Sequence, residues 1–165
     1  MRSYVQEDEL SKHGLERYIQ RALREDLADI EAAYFRGGGH FWVATAREND
    51  GERVVGIVAL ENKGNERGEL RRLSVHNAYR RRGIGRQLVS TLEEWATAAG
   101  FRVVELNTGD TMAPACRLYP ALGYVMTSSQ TICARPRYVA LFFEKRLRQE
   151  DDKLAHSMQK NTMNV

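Results

Sequence analysis

The residues with the strongest chemical content run from Arg80 to Arg86, R-R-R-G-I-G-R. Two glycines one residue apart let backbone N–H groups converge on a ligand with no Cβ in the way, and Arg80, Arg81, Arg82 and Arg86 supply counter-charge. If this segment opens a helix, the unpaired N–H groups of the first turn and the positive end of the dipole complete an anion cradle suited to phosphate. Two familiar phosphate loops do not fit. G-x-G-x-x-G fails because Gln87 and Leu88 follow Gly85 and the third glycine is missing, and G-x-x-x-x-G-K-[ST] is absent. The two cysteines, Cys116 and Cys133, offer no C-x-x-C or Cys/His set that could supply four ligands to zinc, so no metal is expected.

The elements around this loop follow from hydrophobic period. Leu15, Tyr18, Ile19, Ala22, Leu23, Leu27, Ile30 and Tyr34 recur at three- and four-residue steps, the apolar face of one helix or of two abutting ones, with Asp26 a candidate cap for the second. Gly37 to Gly39 end that pattern. Phe41–Ala46, Arg53–Leu60 and Glu69–His76 read as strands, joined by a hairpin at Asn49, Asp50 and Gly51 and by a polar loop from Asn62 to Gly68. Ile84, Leu88, Leu92, Trp95 and Ala99 mark an amphipathic helix closed by Gly100. A buried strand over Phe101–Leu106 follows. A short helix capped by Asp110 or Thr111 carries Ala115, Leu118, Tyr119 and Leu122, and strands near Tyr124–Thr131 and Tyr138–Phe143 complete the order. The fold class is therefore mixed α/β, a central and mostly antiparallel sheet flanked by helices.

At 165 residues the chain fits one domain. Hydrophobic residues at 42% exclude general disorder, and a formal charge of +3 is a small excess over balanced charges rather than the signature of a nucleic-acid tail. Contact of the arginine loop with nucleic acid is the least favoured reading. Neither a signal peptide nor a run of about 18 apolar residues is visible, so no membrane span is expected, and the cysteine usage fits a reducing, cytoplasmic setting. Residues 147–165 are polar and read as a frayed tail.

Between Glu69 and Tyr124 the sequence resembles the GNAT superfamily of N-acetyltransferases. The carriers are R-x-x-G-x-G after a strand, with Arg80, Gly83 and Gly85, and the later Leu118-Tyr119-Pro120-Ala121-Leu122-Gly123-Tyr124. The resemblance extends from about Asp26 to Arg146, so residues 1–146 are expected to form the acetyltransferase domain, with 1–25 ahead of the matching part. Asp26-Leu27-Ala28-Asp29-Ile30, Phe41-Trp42-Val43-Ala44 and Leu73-Ser74-Val75 are most similar to the camello-like branch, whose members often carry a membrane-embedded hairpin upstream. A longer form carrying that hairpin would be membrane-associated. In this chain either Ser3–Gln6 is a vestigial first strand of a soluble relative, or the sequence is an incomplete gene product.

What the resemblance implies is a GNAT acyl-CoA N-acyltransferase fold using acetyl-CoA as co-substrate and a primary amine of a small molecule or protein as acceptor, by direct attack in a ternary complex. Leu73, Ser74 and Val75 would pair by backbone with the acetyl and pantetheine end. Arg80, Arg81, Arg82, Gly83, Ile84, Gly85 and Arg86 would hold the pyrophosphate, with one or two of the three consecutive arginines facing elsewhere. Glu69 stands six residues before Val75, the spacing of a general-base glutamate in histone-modifying members, and Glu61 is the next candidate. Tyr119 matches the tyrosine that protonates the leaving thiolate. Pro120 departs from the pattern, since it removes a helical N–H and biases Tyr119 away from helical backbone. That departure leaves an alternative, a catalytically weak or inactive CoA-binding regulatory module. His76 is expected to cap a turn, Cys116 to act as a small hydrophobe, and Trp42 and Trp95 to fill core positions. Homodimerisation is left open.

Overall fold

The computed structural model describes residues 19–49, 51–135 and 137–148. The expected first strand at Ser3–Gln6, the start of the N-terminal helical pattern and most of the polar tail lie outside the described residues. Residues 19–24 are helical, and a π-helical turn follows at Glu31–Phe35. Asp26 does not cap it. Asp29 does, its Oδ1 accepting the Ala32 N–H at 2.9 Å, while Asp26 is turned to another task described below.

Six strands form one sheet in the order β1-β2-β3-β4-β6-β5, with β1 at His40–Glu48, β2 at Gly51–Gly64, β3 at Arg67–Val75, β4 at Val103–Gly109, β5 at Val125–Ala134 and β6 at Arg137–Arg146. The β2–β3 connection, expected as a loop from Asn62 to Gly68, is shorter. Both strands run to a turn at Asn65 and Glu66, whose φ values of 50° and 60° give the left-handed pair that a two-residue hairpin requires.

Helix α1, Ile84–Ala98, crosses the sheet with Leu88, Val89, Leu92 and Ala96 buried against it, each large side chain contributing roughly 1.5–3 kcal/mol of transfer free energy. Its end is a Schellman closure, as Gly100 foretells: Phe101 N–H reaches Ala96 O at 2.9 Å and Gly100 N–H reaches Thr97 O at 3.1 Å, with Gly100 at φ 89°. Close approach of α1 to the sheet depends on Gly56, where a Cβ would stand 3.0 Å from Leu88 and 3.2 Å from Ile84. Trp42 and Trp95 are partly buried and pack on the core edge to face, their centroids 5.5 Å apart.

Helix α2, Ala113–Ala121, has no side-chain cap. Asp110, expected there, instead accepts the Val139 N–H at 3.1 Å and so ties β6 to the end of β4. The helix runs through Pro120, and Tyr119 stays helical. The bias that Pro120 exerts is overcome because the last turn closes as a second Schellman motif: Tyr124 N–H bonds Tyr119 O and Gly123 N–H bonds Pro120 O, both at 3.0 Å, with Gly123 at φ 87°.

Candidate active site

The sheet splits at the middle. β3 and β4 are parallel partners only from Arg67 opposite Val103 to Glu69 opposite Glu105. Beyond that point β4 stays with β6 as far as Gly109, while Leu70–Val75 remains with β2. A wedge therefore opens between the second half of β3 and the second half of β4.

A bulge decides which groups face the wedge. Ile57 opposes Ser74 but Ala59 opposes Arg71, so β3 carries one extra residue there, and Arg72 takes φ 57°. In a ladder alternate residues turn both their N–H and C=O toward the same neighbour. His76 N–H bonds Val55 O at 2.8 Å, which places the main-chain groups of Ser74 on the β2 side and those of Leu73 and Val75 on the wedge side.

At the mouth of the wedge lies the glycine loop. Gly83 caps α1 at φ 82°, a left-handed conformation that glycine adopts without penalty. The first helical bond runs from Gln87 N–H to Gly83 O at 3.0 Å, so the N–H groups of Ile84, Gly85 and Arg86 lie outside the helical ladder. A Cβ on Gly85 would project between Val75 of β3 and Leu118 of the helix Ala113–Ala121, 3.7 and 3.9 Å away. The residues present thus fit a phosphate-bearing chain that enters at α1 and runs along β3.

Of the three consecutive arginines, two are occupied within the loop. Arg80 Nε donates to Val75 O at 3.0 Å, and the Arg82 guanidinium lies 5.0 Å over the Tyr79 ring. Arg81 sits at φ 63°, and Arg86 is exposed on the first turn of α1. His76 caps the turn at Asn77–Tyr79, its Nδ1 accepting the Ala78 N–H at 3.3 Å. Tyr79 in turn donates to Glu48 at the end of β1 and thereby ties the loop to the first hairpin.

Glu69 lies at the apex of the split. In register across four strands stand Glu61, Glu69, Glu105 and Glu144, on the face away from α1, since their neighbours Leu60, Leu70, Val104 and Phe143 fill the core on the helix side. Four carboxylates side by side repel, and the same face supplies the cations that offset this. Lys63 Nζ is 3.1 Å from Glu61 and 3.3 Å from Glu69, Arg67 bridges Glu105 and Glu144, and Arg71 binds Glu61. Asn107 Nδ2 also donates to Glu69 at 3.2 Å. Burial by itself would raise the Glu61 carboxyl, but hydrogen bonds from Arg71 and Lys63 outweigh it and hold Glu61 below the usual carboxylate range. That makes Glu61 a poor proton acceptor.

Tyr119 is only 6% exposed, and its ring packs on Tyr124 and Phe143 with centroids 5.7 and 5.9 Å away. Cys116 sits one turn earlier on α2, with its Sγ against Gly109 O at 3.5 Å. Beneath Tyr124, Lys145 of β6 reaches Glu93 of α1 at 2.6 Å and passes 5.6 Å from the Tyr124 ring. Burial, and then the Glu93 charge, push the Tyr124 hydroxyl far above its ordinary range.

Several contributors have no signal in the sequence. Asp26, Tyr34 and Arg72 form one buried cluster under the bulge, and Lys63 and Asn107 hold Glu69. An Arg at positive φ breaks the usual code, in which glycine or asparagine marks a left-handed position. Among the described residues no three metal-ligating side chains converge, and no helix is long and apolar enough to cross a membrane.

A sheet split beside a parallel pair, a bulged strand on one wall, and a glycine-arginine turn opening the crossing helix together define an acetyltransferase-type domain. The family described as "Acetyltransferase (GNAT) family" matches residues 6–124, and the chain belongs to it. Within it the chain falls in the camello-like branch. It is 34% identical over 129 residues to rat N-acetyltransferase family 8 member 2, covering 75% of this chain and 55% of that protein. It is 33% identical over 138 residues to human N-acetyltransferase 8, covering 80% and 59%. Zebrafish N-acetylaspartate synthetase is 38% identical over 109 residues, 65% of this chain and 37% of that one. The chain thus spans about half the length of such relatives. Among solved structures, an acetyltransferase of the GNAT family from Staphylococcus aureus Mu50 shares the fold at TM-score 0.64 and 23% identity, covering 78% of this chain and 79% of that one. A putative streptothricin acetyltransferase from Bacillus anthracis, solved in complex with acetyl coenzyme A, does so at TM-score 0.53 and 20% identity, covering 57% and 56%.

Proposed function

We propose that the protein transfers the acetyl group of acetyl-CoA to a primary amine by direct attack in a ternary complex. The observation that carries this reading is the wedge between β3 and β4, with the Leu73 and Val75 main chain on one wall and the N–H groups of Ile84, Gly85 and Arg86 at its mouth. When bound, acetyl-CoA supplies an activated thioester.

The chain's own residues would divide the work as follows. Ile84, Gly85 and Arg86 N–H groups, with the Arg86 and Arg81 side chains, hold the pyrophosphate. The main chain of Leu73–Val75 aligns the pantetheine arm, and N–H groups facing the wedge stabilise charge on the carbonyl oxygen. Glu69 draws the acceptor in as its ammonium and removes a proton, directly or through water, a contribution typically of about 10²–10⁴ in rate. Lys63 and Asn107 hold that carboxylate in place. Tyr119 gives a proton to the leaving sulfur. A phenol near pKa 10 is a weaker acid than a thiol near 8.5, so the transfer is concerted with C–S cleavage.

Tyr119 stays helical on α2 despite Pro120, which supports the catalytic reading over a non-catalytic CoA-binding module. The acceptor class, small molecule or protein, is tested by mass spectrometry of a reaction of purified protein, acetyl-CoA and pooled amino acids, polyamines and lysine peptides. One or more acceptors should gain 42 Da with release of free thiol. Cofactor binding with no acetylated product from any pool would overturn the reading.

A further inference from the structure

The bulge that turns Leu73 toward the wedge is built on a residue poorly suited to it. Arg72 has φ 57°, where a side chain with a Cβ is strained and glycine is at ease. Such a conformation persists only where its surroundings over-determine it. Here they do. The Arg72 side chain is 6% exposed and grips Asp26 with a fork: Nε donates to Oδ2 at 2.7 Å, and a terminal nitrogen donates to Oδ1. Asp26 is itself 11% exposed and also accepts the hydroxyl of Tyr34, which is 1% exposed. Asp26 and Tyr34 belong to the N-terminal helical segment, so a clamp from outside the sheet holds the one strained residue of β3. Tyr34 is fixed in turn, its ring 5.6 Å from Phe41 and its carbonyl bonded to Gly39 N–H at 2.8 Å.

We propose that Asp26 and Tyr34 are positioning residues for acetyl transfer: by gripping the Arg72 guanidinium they hold residue 72 in the left-handed conformation that presents the Leu73 and Val75 main chain to the wedge. The inference rests on the function proposed above. Its physical content is that the ion pair serves the backbone rather than the substrate. Glycine at position 72 can hold the same φ without a clamp, so removing clamp and side chain together should restore what removing the clamp destroys.

The test is a set of variants, Asp26→Ala, Arg72→Gly and the double variant, assayed with whichever amine the parent acetylates. Asp26→Ala should lower kcat tenfold or more while the dissociation constant for acetyl-CoA, held chiefly at the α1 end, changes less than threefold. The double variant should recover to within about threefold of the parent kcat. Amide hydrogen exchange over residues 70–76 should rise in Asp26→Ala and return toward the parent rate in the double variant. Asp26→Asn keeps the shape of the side chain and should show the same kcat-specific loss, smaller in size, if Asp26→Ala does not fold. Tyr34→Phe removes a single donor to Asp26 and should fall between parent and Asp26→Asn. An active parent whose Asp26 variants keep full kcat, or a double variant no better than Asp26→Ala, overturns the positioning role alone. A parent that acetylates nothing overturns the proposed function and this inference with it.

Discussion

Replacing Gly85 by alanine should make the protein more stable and a worse binder of acetyl-CoA, and replacing Gly83 should do the reverse to stability. Gly85 lies in the first turn of α1 with helical backbone, and its added Cβ would meet only Val75 and Leu118 at van der Waals distance. Glycine in a helix costs roughly 0.5–1 kcal/mol relative to alanine, and about half of that is expected in a first turn, so Gly85→Ala gains about 0.5 kcal/mol. Gly83 has open space around it but φ 82°, so alanine there costs about 1–2 kcal/mol in conformation alone. At roughly 2–4 °C per kcal/mol for a chain of this size, Tm should rise by about 1–2 °C in the first variant and fall by about 2–8 °C in the second. The methyl of Gly85→Ala adds bulk between Val75 and Leu118, beside the N–H groups proposed to hold the pyrophosphate. A tenfold weaker affinity reduces the stabilisation by ligand at 100 times the parent dissociation constant from about 2.7 to about 1.4 kcal/mol, so the acetyl-CoA-induced rise in Tm is about halved. Thermal melts with and without acetyl-CoA, paired with titration calorimetry, read both signs. A Gly85→Ala protein that melts lower than the parent, or that binds acetyl-CoA equally well, would refute the placement of the cofactor against α1.

Three further outcomes follow from the same geometry. Tyr119→Phe and Glu69→Gln should each lower kcat by about 10²-fold or more with acetyl-CoA affinity within twofold; unchanged turnover in either variant removes that residue's role. Burial alone would raise the Asp26 carboxyl, but hydrogen bonds from Arg72 and Tyr34 overcome this and hold it at about 2 against an ordinary 3.8. Because the folded value is the lower one, this carboxylate contributes about 2 kcal/mol that is fully present above pH 4 and lost as pH falls toward 2. Urea titrations from pH 6 to pH 2 should show Asp26→Asn with a flatter acid limb than the parent, and parallel limbs would contradict the assignment. Lys145→Met strands Glu93, whose side chain is 17% exposed, and should cost about 2 kcal/mol or roughly 4–8 °C in Tm; a shift under 1 °C would mean that the α1–β6 strut carries no stability.

The sequence alone determined the parts that depend on local pattern. Gly83 and Gly85 after a strand, Gly100 after a helical stripe and the tyrosine before Gly123 mark positions where backbone conformation or ligand approach restricts the residue type, and such restrictions are visible in a string of letters. Periodicity sufficed to order six strands, the long helix α1 and the short helix α2. It did not show that β2 and β3 continue to a two-residue turn, because charged residues on an exposed sheet face resemble a polar loop. Nor could it show that Pro120 leaves Tyr119 helical, since the propensity of one residue is outweighed by a closure that engages Gly123 and Tyr124. The split of the sheet, the row of four glutamates and the clamp of Asp26 and Tyr34 on Arg72 were decided by tertiary structure. Each joins residues 8 to 83 positions apart, and strand register and a buried ion pair are properties of neighbours in space that no local spacing encodes.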